Sequence, residues 1–186
     1  ELAASGSDFA VMGMHFKLGL YEHQSAGAIG GLFDLLAAHP VLLTNPGDIE
    51  GIRITIYEPA FSIIGDPHKR DPRTRQSADH SMVYIVGTLL RKALELVLLR
   101  NALELRFKGQ ESGIRNAAEL WRALMLVPAD YGDAVLLHPL TRALMDKIEF
   151  LHGGSEYDAK YPDGIPTTVE IDHRLLRRVS SGLVMY

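Results

Sequence analysis

The chain contains no cysteine. Disulfides, thiol nucleophiles, zinc–thiolate sites and cysteine-held iron–sulfur clusters are therefore excluded, and a reducing compartment is compatible with this. No apolar run reaches the roughly 18–20 residues that a membrane-spanning helix needs. Charge of one sign is not in excess either: 19 Lys and Arg stand against 23 Asp and Glu, for a net charge of −4. The two signs are interspersed, so the electrostatic footprint of a nucleic-acid binder is missing. We expect no nucleic-acid partner and no membrane partner. Residues 1–22 mix glycine with apolar residues and do not read as a signal peptide. Gly-x-Ser-x-Gly, a Walker loop and Gly-x-Gly-x-x-Gly are also missing.

What is present describes an ordinary globular domain. Of 186 residues, 47% are hydrophobic and 23% charged, enough for one sizeable core. Glu1 is not an initiator, and Gly182 to Tyr186 stops on an apolar, strand-like run. These ends lead us to expect a piece of a longer polypeptide.

Local patterning predicts an α+β domain over residues 1–186, with a small, mostly antiparallel sheet and helices packed on it. Ile52 to Tyr57 alternates apolar and polar residues and is rich in β-branched side chains, as is Thr167 to Ile171. Shorter strands are expected near Phe9–Met12, at Ile148–Phe150 and over Arg178–Tyr186. The spacing of Ala26, Ile29, Leu32, Phe33 and Leu36 predicts a helix from Ser25 to about Ala38. Its glycines, Gly27, Gly30 and Gly31, point to close approach of another backbone, and Ala26–Phe33 is the stretch expected to be left as an uncovered apolar patch. Further helices are expected from Ser77 or Asp79 to Leu99, over Ala117–Met125 around Trp121, and from Pro139 to Met145 behind His138. The helix beginning near Asp79 should cover the sheet. Glu111–Arg115 should be a break, and residues 66–77 and Gly153–Pro166 loops.

The densest polar cluster is Arg73-Thr74-Arg75-Gln76-Ser77-Ala78-Asp79-His80-Ser81, entering the apolar segment Met82–Leu90. A helix start of this kind can hold an anion, because unpaired backbone N–H groups and the dipole favour negative charge. Arg73 and Arg75 could clamp carboxylates bidentately or simply be solvated. Asp79 could orient His80, although adjacent helical residues point about 100° apart; a first-turn acidic residue is the plainer role. His23, close to Lys17 and before a helix, could serve as acid/base or carboxylate ligand, or merely sit beside a cap made by Ser25. His138, His152 and His173 have no metal-ligand spacing, and no metal site is expected. Tyr157 to Gly164 has too few acidic residues for a calcium loop.

Ser77-Ala78-Asp79-His80-Ser81-Met82-Val83-Tyr84-Ile85-Val86 resembles the signature of the MmgE/PrpD proteins, the 2-methylcitrate dehydratases and their relatives. Three further stretches resemble the family in order: Phe16-Lys17 with Glu22-His23-Gln24-Ser25-Ala26, then His138 to Ile148, then Tyr161 to Ile171. The resemblance implies the smaller C-terminal domain, with a short preceding segment, of a hydro-lyase of propionate breakdown. Such an enzyme dehydrates 2-methylcitrate to 2-methyl-cis-aconitate without an iron–sulfur cluster or other cofactor, as a cytoplasmic or mitochondrial homodimer. Its implied site residues here are His23 and His80 as catalytic groups, with Lys17, Arg73, Arg75 and Tyr84 binding the tricarboxylate. Family members carry a large N-terminal helical domain that supplies further catalytic groups, so the chain alone is expected to be inactive. The alternatives are a cis-aconitate decarboxylase-like member of the same family, or a non-enzymatic dimerisation or scaffold domain.

Overall fold

Ile52, Ile54 and Ile56 point to one side of a strand and are buried, while Arg53 and Thr55 face the other way and are half-exposed. This period of two is what a strand imposes on side chains. The computed structural model describes residues 19–104 and 116–186, and within them β1 spans Ile49–Ile56. It lies inside a four-stranded sheet of order β2-β1-β3-β4, with β2 at Ile148–His152, β3 at Pro166–His173 and β4 at Arg177–Met185. Rows of apolar side chains cross the buried face: Ile148, Ile52 and Ile171, then Phe150, Ile54 and Val169.

The α+β class is as expected, but the sheet is mixed. β1–β3 and β3–β4 are antiparallel, whereas β1–β2 is parallel. A parallel pairing needs a crossover, and the long helical excursion between the two strands supplies it.

α1, Ser25–Ala38, lies against β3 and β4. Its glycines permit this. A Cβ at Gly27 would fall 2.2 Å from Thr167 Oγ1 and 2.6 Å from the Ile165 carbonyl, and one at Gly30 would enter the Tyr186 ring. The expected close approach is therefore made by the chain's own hairpin. The uncovered patch expected at Ala26–Phe33 does not exist, because every one of these residues is buried.

The expectation for the second long helix needs two corrections. Arg75–Ala78 is a separate short helix, α3, closed by a capping box in which Ser77 N donates to Thr74 Oγ1 and Thr74 N to Ser77 Oγ. The chain then turns at Asp79–Ser81 before α4 begins at Met82 and runs to Glu104. It is α1, not α4, whose backbone comes closest to the sheet. α4 packs mainly on α7, Pro139–Met145, and against α1. Gly87 brings α7 close, since a Cβ there would lie 3.0 Å from Met145 Cγ.

Of two further short helices, the first packs beside β2 and the second against α1 and α4. α2, Glu58–Ile64, carries Pro59 in its first turn, where a missing N–H costs nothing. α5, Ala117–Leu124, is capped by Asn116. α6, Asp133–Leu136, precedes α7, and α8, Ser155–Asp158, lies in the stretch expected to be loop. Among the described residues no helix is long and apolar enough to cross a membrane. The strand expected near Phe9–Met12, the break at Glu111–Arg115 and Lys17 lie outside the described residues.

Candidate functional site

Tyr131 ends a 3₁₀ turn, Pro128–Tyr131, that is fastened to α4. Lys92 Nζ donates to Asp130 Oδ2 at 2.8 Å and to the Met125 carbonyl at 3.0 Å, and Val127 N donates to the same Asp130 carboxylate at 2.8 Å. The Tyr84 hydroxyl donates to the Asp130 carbonyl at 2.6 Å, and its ring centroid sits 5.8 Å from that of Tyr131. With the turn held this way, Tyr131 reaches across to donate its hydroxyl to the Leu20 carbonyl. Burial raises the Tyr131 pKa above the ordinary tyrosine value, and the nearby Asp79, Tyr84, Asp130 and Glu22 push it the same way. Tyr131 is thus bonded to the stretch that leads into His23, and the turn that carries it is held by Tyr84, four residues after His80.

Glu22 is 6% exposed. Its carboxylate accepts from Gln24 N at 2.8 Å and from the Ser25 hydroxyl. The N-cap position of α1 is Gln24, whose side chain makes no cap bond; Glu22 instead fixes the entry to the helix, and Ser25, expected as the cap, is the first helical residue. Burial raises the Glu22 pKa, against the opposing pull of those hydrogen bonds and of the Lys69 charge. Lys69 is anchored at its backbone, where its carbonyl accepts from Ser81 Oγ at 2.6 Å.

Tyr57 completes the cluster at the end of β1. It is fully buried, stacked on Tyr161 with centroids 4.5 Å apart, and its hydroxyl meets no hydrogen-bond partner among the described residues. Burial first, then the nearby Tyr161 and Glu22, push its pKa up to about 12. A buried carboxyl of raised proton affinity, two buried phenols and a lysine are groups that can exchange and stabilise protons.

The residues singled out from sequence fall around this cluster in different ways. His23 is exposed at the start of α1. His80 is also exposed, with Nδ1 paired to Asp79 and 3.2 Å from the Gln76 carbonyl. The direct Asp79–His80 pair was not expected of adjacent helical residues; it forms because both lie in the turn between α3 and α4. Arg75 is exposed, and Arg73 pairs with Asp71 at 2.7 Å. Asp71 also receives Arg142 Nη1 at 2.7 Å, while Arg142 Nη2 donates to the Pro72 and Leu136 carbonyls. Arg73 first, with Arg142, holds the Asp71 carboxyl below the usual range. The polar loop is therefore tied down from α7. Tyr84 is fully buried, so its hydroxyl supports Tyr131 through Asp130 rather than opening to solvent. Thr74 and Ser77 spend their hydroxyls on local backbone, and Ser81 spends its own on the Lys69 carbonyl.

His138, His152 and His173 have structural partners. His138 Nδ1 accepts from Leu140 N and caps α7, His152 pairs with Asp158, and His173 Nδ1 accepts from Leu175 N. Among the described residues no three metal-ligating side chains converge.

No family model matches the chain, and neither does any curated protein. The site thus stands on its geometry. Glu22, Tyr57, Lys69 and Tyr131 were not singled out from the sequence; Tyr57 directly follows the inward-facing Ile56, so the period of two gives no signal for its burial.

Proposed function

We propose that this chain carries one side of a hydro-lyase site that dehydrates 2-methylcitrate to 2-methyl-cis-aconitate. The reading rests on the resemblance to the MmgE/PrpD proteins, and one observation carries it. The Tyr131 hydroxyl donates to the Leu20 carbonyl, three residues before His23, and Tyr84, four residues after His80, holds the turn that carries Tyr131, so two segments remote in sequence flank one polar cluster. In the reaction a base takes the proton beside a carboxylate, the carbon–oxygen bond breaks, and an acid protonates the departing hydroxide to water. His23 and His80 exchange these protons at the rim of the cluster. Lys17, Arg73 and Arg75 bind the carboxylates, and Tyr84 acts from beneath by holding Tyr131. The chain alone is inactive, because base, acid and clamps act as a unit and the implied helical domain supplies the rest.

The test has two arms. Added to this chain, 2-methylcitrate should shift the imidazole resonances of His23 and His80 together, without the absorbance rise of an unsaturated product. In the protein carrying the helical domain that absorbance should rise, and His23→Asn should suppress it. A tricarboxylate that moves neither imidazole, or a chain that turns over as fast as the longer protein, refutes the reading.

A further inference from the structure

A histidine ring nitrogen that faces only acceptors must carry the proton, and in the neutral ring the other nitrogen then keeps its lone pair. His80 is held in that way. Its Nδ1 lies against the Asp79 carboxylate and 3.2 Å from the Gln76 carbonyl, and neither an ionised carboxylate nor a carbonyl can donate. Nδ1 is therefore the protonated nitrogen. Nε2 has no hydrogen-bond or ion-pair partner among the described residues, and the side chain is exposed.

Three other histidines have ring bonds among the described residues, and all three are set the other way. His138 and His173 accept at Nδ1 from Leu140 N and Leu175 N, while His152 turns Nε2 to Asp158. Each of those neutral rings carries its proton on Nε2, the arrangement imidazoles prefer in water. Of the four, His80 alone presents a free Nε2 lone pair. Nor does the turn need the Asp79–His80 contact to keep its shape. Asp79 N donates to the Arg75 carbonyl and Ser81 N to the Ala78 carbonyl, both at 3.1 Å, and the Ser81 hydroxyl is bonded to the Lys69 carbonyl. The turn is pinned by main chain on both sides of the pair.

We infer that His80 Nε2 is the base of the site and that Asp79 is its positioning residue. This rests on the hydro-lyase reading and divides the work it leaves shared between two histidines. Nε2 bonds to the proton on the carbon beside a substrate carboxylate, and the C–H electron pair becomes the new double bond. Hydroxide leaves with the C–O pair and takes its proton from His23 to become water. The His80 imidazolium so formed keeps Nδ1–H against the Asp79 carboxylate, which offsets the new charge.

Long-range ¹H–¹⁵N correlation spectra of the whole chain, taken where imidazoles are neutral, test the tautomer without substrate. His80 should appear protonated at Nδ1 and His138 and His173 at Nε2, with Asp79→Asn moving His80 toward the Nε2-protonated form. In the protein carrying the helical domain, His80→Gln should lower kcat by at least about a hundredfold, the low end for a general base. Asp79→Asn should lower kcat by at least about tenfold, short of the roughly 10⁴ of a buried pair because solvent reaches this one. KM and Tm should hold, and Asp79→Glu should recover part of the loss. A His80 ring protonated at Nε2 in the wild type overturns the inference, as does an Asp79→Asn protein whose kcat is unchanged or whose Tm falls in step with its kcat. If the longer protein leaves 2-methylcitrate untouched while its His80 carries the Nδ1 proton, the hydro-lyase reading fails and the base role with it.

Discussion

Removing the para-hydroxyl from Tyr57 and from Tyr84 should have opposite consequences, though both side chains are fully buried. The Tyr57 hydroxyl has lost its water without gaining a hydrogen bond among the described residues. A buried hydroxyl in that state costs about 1–3 kcal/mol. Tyr57→Phe keeps the ring and its stacking on Tyr161 while abolishing that cost, so the protein should become more stable by about 1–2 kcal/mol. Tyr84→Phe instead deletes a 2.6 Å hydrogen bond to the Asp130 carbonyl and leaves a buried acceptor short of a donor. The loss should be about 1–3 kcal/mol, with Tyr131 loosened as well. For a domain of this size about 1 kcal/mol moves Tm by roughly 2–4 °C, so the two variants should melt on opposite sides of the wild type. Urea denaturation with unchanged slopes would confirm that the folded state, not the unfolded one, has changed. If Tyr57→Phe is destabilised as much as Tyr84→Phe, the Tyr57 hydroxyl has a partner and the argument for a poised phenol falls. If the hydro-lyase reading is right, the more stable Tyr57→Phe should also be the less active, a trade between stability and function.

Gly27→Ala should destabilise the fold by up to about 2 kcal/mol despite the roughly 1 kcal/mol gain in helix propensity, because overpacking costs about 1–3 kcal/mol. The added Cβ meets the Ile165 carbonyl at 2.6 Å, and a urea midpoint that rises instead would show that α1 is not seated on β3 in this way. Glu22→Gln should stabilise progressively as pH rises. Burial raises the Glu22 pKa, so its favourable contribution is complete below the ordinary glutamate range and is lost as pH climbs through the raised value; glutamine removes that loss. Urea midpoints at pH 4 and pH 8 should therefore separate in favour of the variant at the higher pH, and parallel curves for the two proteins would refute the assignment.

Much of the secondary structure was decided locally and could be read directly. The period of two in Ile52–Ile56 and in Thr167–Ile171, the helical spacing from Ala26 to Leu36 and the proline behind His138 each act within a few residues of themselves. They therefore fix strands, a helix and a helix start whatever the rest of the chain does. The close approach implied by Gly27 was legible too, since a missing Cβ is a local fact. What packs there was not, because the hairpin that covers it comes from the other end of the chain.

The same limit explains the failures. α2 is short, and its first N–H is satisfied by Asp158, a residue 100 positions away, so no local signal marks it. The break at Asp79–Ser81 splits what apolar periodicity reads as one helix, because Ser81 is drawn to the Lys69 carbonyl and Asp79 to His80. The parallel edge of the sheet depends on how the helical excursion returns to β1. The candidate site is the extreme case. Tyr131 reaches the Leu20 carbonyl across 111 positions, and Glu22, Tyr57 and Lys69 come from three separate elements. Each is an unremarkable residue in its own neighbourhood. Local patterning decided which faces are apolar; the break at Asp79–Ser81, the shifted proton affinities and the unpaired hydroxyl arose only when folding brought together, and removed water from, groups remote from one another.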